Sequence, residues 1–196
     1  MPEGWLTGVA TAVKLTPAVV AAYNFFAGRR KPGLVAFFSF VAATALGFAL
    51  LPTASLYYWT KLAMGDTGMN SGIVYATNQS IMGVWTRMLG YTGRGGLLLS
   101  LLVVVVGIAA AVAVHRRGEV PLAICLAGVT SLLASPISWS HHYVWIVPLG
   151  IVLWQARDLP GWYRWFGLAY VAWGVVAPFK WLPRGDDVEL SYAWWQ

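Results

Sequence analysis

The sequence predicts an all-α integral membrane protein, a polytopic helix bundle with about six hydrophobic segments. Two observations carry this reading. Apolar residues make up 59% of the 196 positions and charged residues only 10%, where soluble domains carry about 25% charge. So little charge cannot cover a surface that faces water. The apolar residues also gather into runs near the ~20 residues that a helix needs to cross a ~30 Å hydrocarbon core. The same figures exclude a disordered chain, a collagen, a coiled coil and a disulfide scaffold. Cys125 is the single cysteine, so no intrachain disulfide can form.

The runs fall at about 5–27, 33–52, 95–114, 120–135, 142–156 and 164–181. The first contains Lys14 and Pro17. It is read as one span, with a re-entrant hairpin broken at Thr16-Pro17 as the alternative. The second and third are uninterrupted. The fourth and fifth are short for full spans, and the fifth carries Pro148; broken or partial helices are tolerated where protein surrounds them. No fixed-period repeat or low-complexity linker divides the chain, so residues 1–196 are assigned to a single transmembrane domain. The start, Met-Pro-Glu-Gly-Trp, lacks the basic region of a signal peptide. The chain opens almost inside a hydrophobic segment and stops at Trp194-Trp195-Gln196, and is expected to be part of a larger protein.

The connections alternate in character. Arg29-Arg30-Lys31, His115-Arg116-Arg117 and the Arg157–Arg164 turn are short and basic. Segments 53–94, 136–141 and 182–196 are longer or richer in Trp, Tyr, Asn, Ser and His. Lys and Arg accumulate in cytoplasmic loops, and Trp and Tyr at membrane interfaces. The basic turns are therefore placed in the cytoplasm and the aromatic loops outside, with Tyr57, Tyr58, Trp59, Trp139, Trp181, Trp194 and Trp195 in an interfacial belt. The net charge of +6 then reports orientation and not nucleic-acid binding.

Few residues offer chemistry. Lys14 lies within a hydrophobic run, where an ammonium costs about 2.5–3.5 kcal/mol, so it is expected to meet a polar cavity, an acidic partner or an anionic ligand; the alternative is snorkelling. Asn78-Gln79-Ser80 presents amide and hydroxyl groups of the kind that recognise sugar hydroxyls, or else caps an interfacial helix. The run Ser135-Pro136-Ile137-Ser138-Trp139-Ser140-His141-His142-Tyr143-Val144-Trp145 is the richest. Adjacent histidines on a helix point about 100° apart and chelate poorly, whereas metal-binding helices prefer i, i+4 spacing. Proton transfer or phosphate binding suits them better near neutral pH; the alternative is an interfacial aromatic cluster capped by histidine. Asp66 reads as a turn, and Asp186, Asp187 and Glu189 as a solvated cluster. No phosphate-binding glycine loop, paired catalytic carboxylates or nucleophile elbow occurs.

Gly8-Val9-Ala10-Thr11-Ala12-Val13-Lys14-Leu15-Thr16-Pro17 with its following basic turn, Asn78-Gln79-Ser80-Ile81 and Ser135–His142 resemble, in order, segments of glycosyltransferase family 87. The resemblance covers essentially the whole chain. It implies a GT-C-like bundle in the plasma membrane with its active site on the outer, periplasmic face. The implied activity is hexosyl transfer of the α-1,2-mannosyltransferase type in the cell envelope. Mannose would pass with inversion from polyprenyl-phosphate mannose to a mannosylated glycolipid of the phosphatidylinositol mannoside or lipomannan type. No cofactor, metal or nucleic acid is implied. His141 and His142 are assigned to the donor phosphate or the transferred sugar. Lys14, Asn78, Gln79, Ser80, Ser138 and Trp139 are assigned to substrate binding. The family's general base is an aspartate of the first outer loop, for which residues 1–196 hold no counterpart. The competing reading is a catalytically incomplete scaffold or a lipid-carrier transporter; a transporter is expected to show two related halves with discontinuous helices, and no such symmetry occurs.

Overall fold

The computed structural model describes residues 2–63, 70–89, 94–156 and 158–177. Expectations for Asp66, Trp181, the acidic cluster at 186–189, Trp194 and Trp195 lie outside them. The described residues are helical, with no β-strand and a single isolated bridge. They fall into two compact units, Met1–Ser71 and Gly72–Gln196.

The first unit begins with α1 (Trp5–Val13) and α2 (Ala18–Phe26), nine residues each. At 1.5 Å per residue each is about 13 Å long, under half a hydrocarbon core. The break follows from Pro17, which has no N–H to donate and pushes Thr16 out of the helical region. Lys14 accordingly sits in extended backbone, at φ −149° and ψ 126°. The chain then reverses. The Arg29 guanidinium beyond α2 pairs with the Glu3 carboxylate ahead of α1, so both ends of the segment lie together. Residues 5–27 are a helical hairpin, and the expectation of one continuous span is corrected.

Both arms lie along α3 (Arg30–Leu50). A Cβ at Gly8 would stand 2.1 Å from the Ala36 carbonyl oxygen, so only glycine lets α1 approach this backbone. Next, α4 (Pro52–Ala63) folds back on α3. Its Trp59 ring meets Phe40 edge-on at 5.8 Å, and the Tyr58 hydroxyl donates to the Val13 carbonyl at 3.2 Å.

The second unit contains α5 (Ile81–Leu89), α6 (Arg94–Arg116), α7 (Val120–Ala134), α8 (Ile146–Gln155) and α9 (Gly161–Val176). The most enclosed helix is α7, which packs against α6, with Thr130 opposite Gly107. Leu122, Cys125 and Val129 of α7 form the core with Leu149 and Leu153 of α8. Helices α8 and α9 run antiparallel, pairing Ile146 with Gly174, Gly150 with Val171 and Leu153 with Gly167. That pairing carries the far end of α9 back to the start of α8.

Among the described residues two helices, α3 and α6, are long and apolar enough to cross a membrane, with mean hydropathy 2.1 and 3.0 over their apolar windows. Only 11% and 17% of those windows are buried in the protein. A core helix of a soluble protein would be mostly buried. These two instead expose Phe37, Phe38, Leu97, Leu98 and Leu101, a surface suited to a hydrocarbon solvent. The shorter helices α7, α8 and α9 have 15, 10 and 16 residues.

Candidate functional site

Two loops 60 residues apart in sequence are joined in the second unit, and Asn78 joins them. Its side chain is fully buried. The amide nitrogen donates to the carbonyls of Ile73 (3.0 Å) and Pro136 (3.1 Å). The amide oxygen accepts from the backbone N–H groups of Ser80 (3.2 Å) and Ser138 (2.9 Å). Two donors and two lone pairs are thus all used. Alongside, Gln79 N–H donates to the Ser138 carbonyl at 2.9 Å, and residues 78 and 139 form an antiparallel bridge. The Ser80 hydroxyl donates to the Pro136 carbonyl at 2.9 Å and accepts from Gly83 N–H at 3.0 Å, which caps α5. From within α5, Arg87 reaches back to the Tyr75 and Asn78 carbonyls at 2.9 and 2.8 Å. Burial lowers its pKa from the usual value, but a guanidinium stays charged.

This geometry alters how the serine and asparagine side chains are read. Asn78, Ser80 and Ser138 are each 0% exposed. They point into the protein, and Asn78 and Ser80 spend their polar groups on backbone, as in the helix-capping alternative. The residues between and beside them are the accessible ones. Gln79 and Trp139 are half-buried. Trp139 packs over Gly72 and lies 5.7 Å from the Tyr75 ring.

The histidines follow directly. Residues Ser140–Trp145 form a 3-10 turn, with Tyr143 off helical geometry at ψ 33°. Trp139 N–H donates to His142 Nδ1 at 3.1 Å, and His142 N–H donates to the Trp139 carbonyl at 2.8 Å. His142 therefore caps the turn, and in neutral imidazole its proton belongs on Nε2. The His141 ring is exposed and meets His142 edge-on, 4.4 Å between centroids. The kink also separates His142 from the helix that follows: Leu149 is core, and Trp145 lies over Gly128.

Behind the joined loops is a small cavity of about 90 Å³. Gln79, Ser140 and Tyr143 line it from the loops, and Tyr170 and Trp173 from α9. The Tyr143 hydroxyl donates to the Gln79 carbonyl at 2.6 Å, tying the turn to the first loop. Tyr170 and Trp173 carry no sequence signal, because aromatics in an apolar helix look like lipid-facing surface. Lys14 belongs to the first unit, exposed at the tip of the hairpin. No group of three His, Cys, Asp or Glu able to hold a metal occurs among the described residues.

The sequence model of glycosyltransferase family 87 matches residues 1–136. The chain belongs to that family. It is 35% identical over its whole length to a polyprenol-phosphate-mannose-dependent alpha-(1-2)-phosphatidylinositol mannoside mannosyltransferase of Mycobacterium tuberculosis strain H37Rv, covering 46% of that protein. A polyprenol-phosphate-mannose-dependent alpha-(1-2)-phosphatidylinositol pentamannoside mannosyltransferase of strain CDC 1551 is 39% identical over 81% of the chain and 38% of its own length. A phosphatidylinositol mannoside mannosyltransferase of Mycolicibacterium smegmatis is 30% identical over 99% of the chain and 49% of its own length. The chain thus spans less than half the length of these curated relatives. No solved structure matches it. The family 87 match ends at Pro136, within the second of the two joined loops.

Proposed function

We propose that this family 87 chain serves mannosyl transfer from polyprenyl-phosphate mannose to a mannosylated glycolipid of the phosphatidylinositol mannoside type. The transfer is placed on the outer face of the plasma membrane, within a multi-pass GT-C-like bundle. The observation that carries the reading is the joining of the Asn78-Gln79-Ser80 and Ser135–His142 loops into one rigid surface ending in a histidine pair. The names of the relatives supply the donor and acceptor classes. Basic residues at the start of α3 and the end of α6 support the orientation, since Lys and Arg favour the cytoplasm.

In the proposed reaction an acceptor hydroxyl attacks the anomeric carbon of a β-linked mannosyl phosphate. The carbon–oxygen bond to phosphate breaks, and an α-mannoside forms with inversion. Charge develops on the departing phosphate, and fixed donors aimed at such charge supply large rate terms. His142, held by its cap, is assigned as that donor through Nε2, with His141 beside it at the phosphate or the sugar. Gln79 and Trp139 contact substrate directly. Asn78, Ser80 and Ser138 act through the backbone they hold in place. Lys14, at the tip of the hairpin, offers a cation to an anionic ligand. The acceptor's base is not assigned to residues 1–196.

Membranes carrying the full-length protein should move radiolabelled mannose from polyprenyl-phosphate mannose to a phosphatidylinositol mannoside, in a product that α-mannosidase cleaves. Labelling from a nucleotide sugar after depletion of the lipid donor would refute the assignment.

A further inference from the structure

The cavity behind the joined loops has a chemistry of its own. Its volume of about 90 Å³ is several times the ~10–15 Å³ that one buried water needs. It is well below the ~300–1,000 Å³ of a whole ligand site. That is room for part of one sugar ring, not for a lipid headgroup with its phosphate. No charged side chain lines it, so nothing there favours an anion.

Its walls are divided. Tyr170 and Trp173 bring aromatic surface from α9, while Gln79 and Ser140 bring an amide and a hydroxyl from the loops. The Gln79 amide donates once, to the Ala76 carbonyl at 2.5 Å, which leaves its oxygen and second N–H to other partners. The hydroxyls of Ser140 and Tyr170 also line this space, and neither is held by a hydrogen bond within the described structure. Polar groups in a recess need partners. A hexopyranose suits both walls, because its hydroxyl rim answers the amide and hydroxyls and its C–H face lies well on an aromatic ring. The cavity also begins at Ser140, one residue before the histidine pair.

We infer that this cavity, between Gln79 and Ser140 of the joined loops and Tyr170 and Trp173 of α9, is a subsite that seats part of one neutral mannopyranosyl ring. The inference rests on the mannosyl-transfer reading for its choice of sugar. The ring belongs either to the donor or to the acceptor, and its chemistry is the same in both cases. The subsite also gives α9 a part in recognition: the antiparallel pairing of α8 and α9 sets Tyr170 and Trp173 opposite the histidine turn.

The test has two arms on the full-length protein. In the first, steady-state kinetics are measured for Trp173→Ala, Trp173→Phe and Tyr170→Phe. Loss of the aromatic platform or of one hydroxyl contact is expected to raise KM by about fivefold to tenfold. The rise should appear for one substrate, with kcat little changed, and Trp173→Phe should restore most of the loss. A donor KM effect assigns the ring to the donor, and an acceptor KM effect to the acceptor. In the second, saturation-transfer NMR follows methyl α-mannoside binding to the detergent-solubilised protein, with Gln79→Ala as a further variant should Trp173→Ala fail to accumulate. Binding by the wild type, weakened in these variants, supports the subsite even if mannosyl transfer itself is not observed. Unchanged KM for both substrates, or methyl α-mannoside binding that is absent or indifferent to Trp173 and Gln79, overturns it.

Discussion

Asn78 and His142 hold the joined loops in two different ways, one as a staple and the other as a cap. Asn78 uses every hydrogen-bonding group of its amide inside the protein. Removing it strands the Ile73 carbonyl and two N–H groups, while the Pro136 carbonyl keeps the Ser80 hydroxyl, and each buried unsatisfied group costs about 1–3 kcal/mol. Asn78→Ala is therefore expected to destabilise the protein by about 3 kcal/mol or more, read as a lowered unfolding temperature in detergent. Activity should fall in parallel with the folded fraction. Arg87→Met should act in the same direction but less strongly, because the carbonyls of Tyr75 and Asn78 lose their charged donor. If Asn78→Ala instead kept full stability and lost only turnover, the residue would be a ligand contact and not a staple. Sequence reading found Asn78, Ser80 and Ser138 as residues worth attention. Their orientation was not legible, because an Asn-Gln-Ser run has the same appearance whether it caps a helix or faces a sugar.

At the scale of elements the hairpin of α1 and α2 makes the sharpest departure from a simple reading. Residues 5–27 have the length of a span, and hydropathy alone favours one. Pro17 carried the contrary signal, and the pairing of Glu3 with Arg29 decides between them. In a membrane both ends of this segment should therefore lie on the same side. Single cysteines at positions 3 and 31, made in a Cys125→Ser background, are expected to react with an impermeant maleimide only after cytoplasmic access is opened. A cysteine at 141 should label on intact cells. Opposite-side labelling of 3 and 31 would restore the single span and remove the hairpin. The tight contact at Gly8 gives an independent check: Gly8→Leu drives a side chain into the Ala36 carbonyl and should abolish accumulation, whereas Val9→Leu, on an exposed face, should be tolerated. The turn at 140–145 shows where helical spacing stops predicting which side chains share a face. A helix advances about 100° per residue only while it remains an α-helix, and Tyr143 interrupts it.

At the scale of the whole molecule, the described residues combine lipid-suited faces on α3 and α6 with a polar seam within the second unit. The helical class and the apolar character of α3 and α6 were legible from composition and run length. So were the two loops, each marked by polar and aromatic residues at the end of an apolar run. Their union was not, because a long-range backbone bridge leaves no local pattern, and neither was the cavity wall supplied by α9. In the proposed function, the surface formed by this union performs mannosyl transfer through the histidine that caps it. The direct measurement is the initial rate of transfer from polyprenyl-phosphate mannose, normalised to folded protein, for wild type, His142→Ala and His141→Ala. Loss of a single fixed donor to a developing oxyanion lowers rate by about 10²–10³, and loss of a cap costs about 1 kcal/mol of stability. His142→Ala should show that fall in rate at near-normal abundance, with a much smaller effect for His141→Ala. Near-normal turnover by both folded variants would contradict this role and reduce the pair to an interfacial cap.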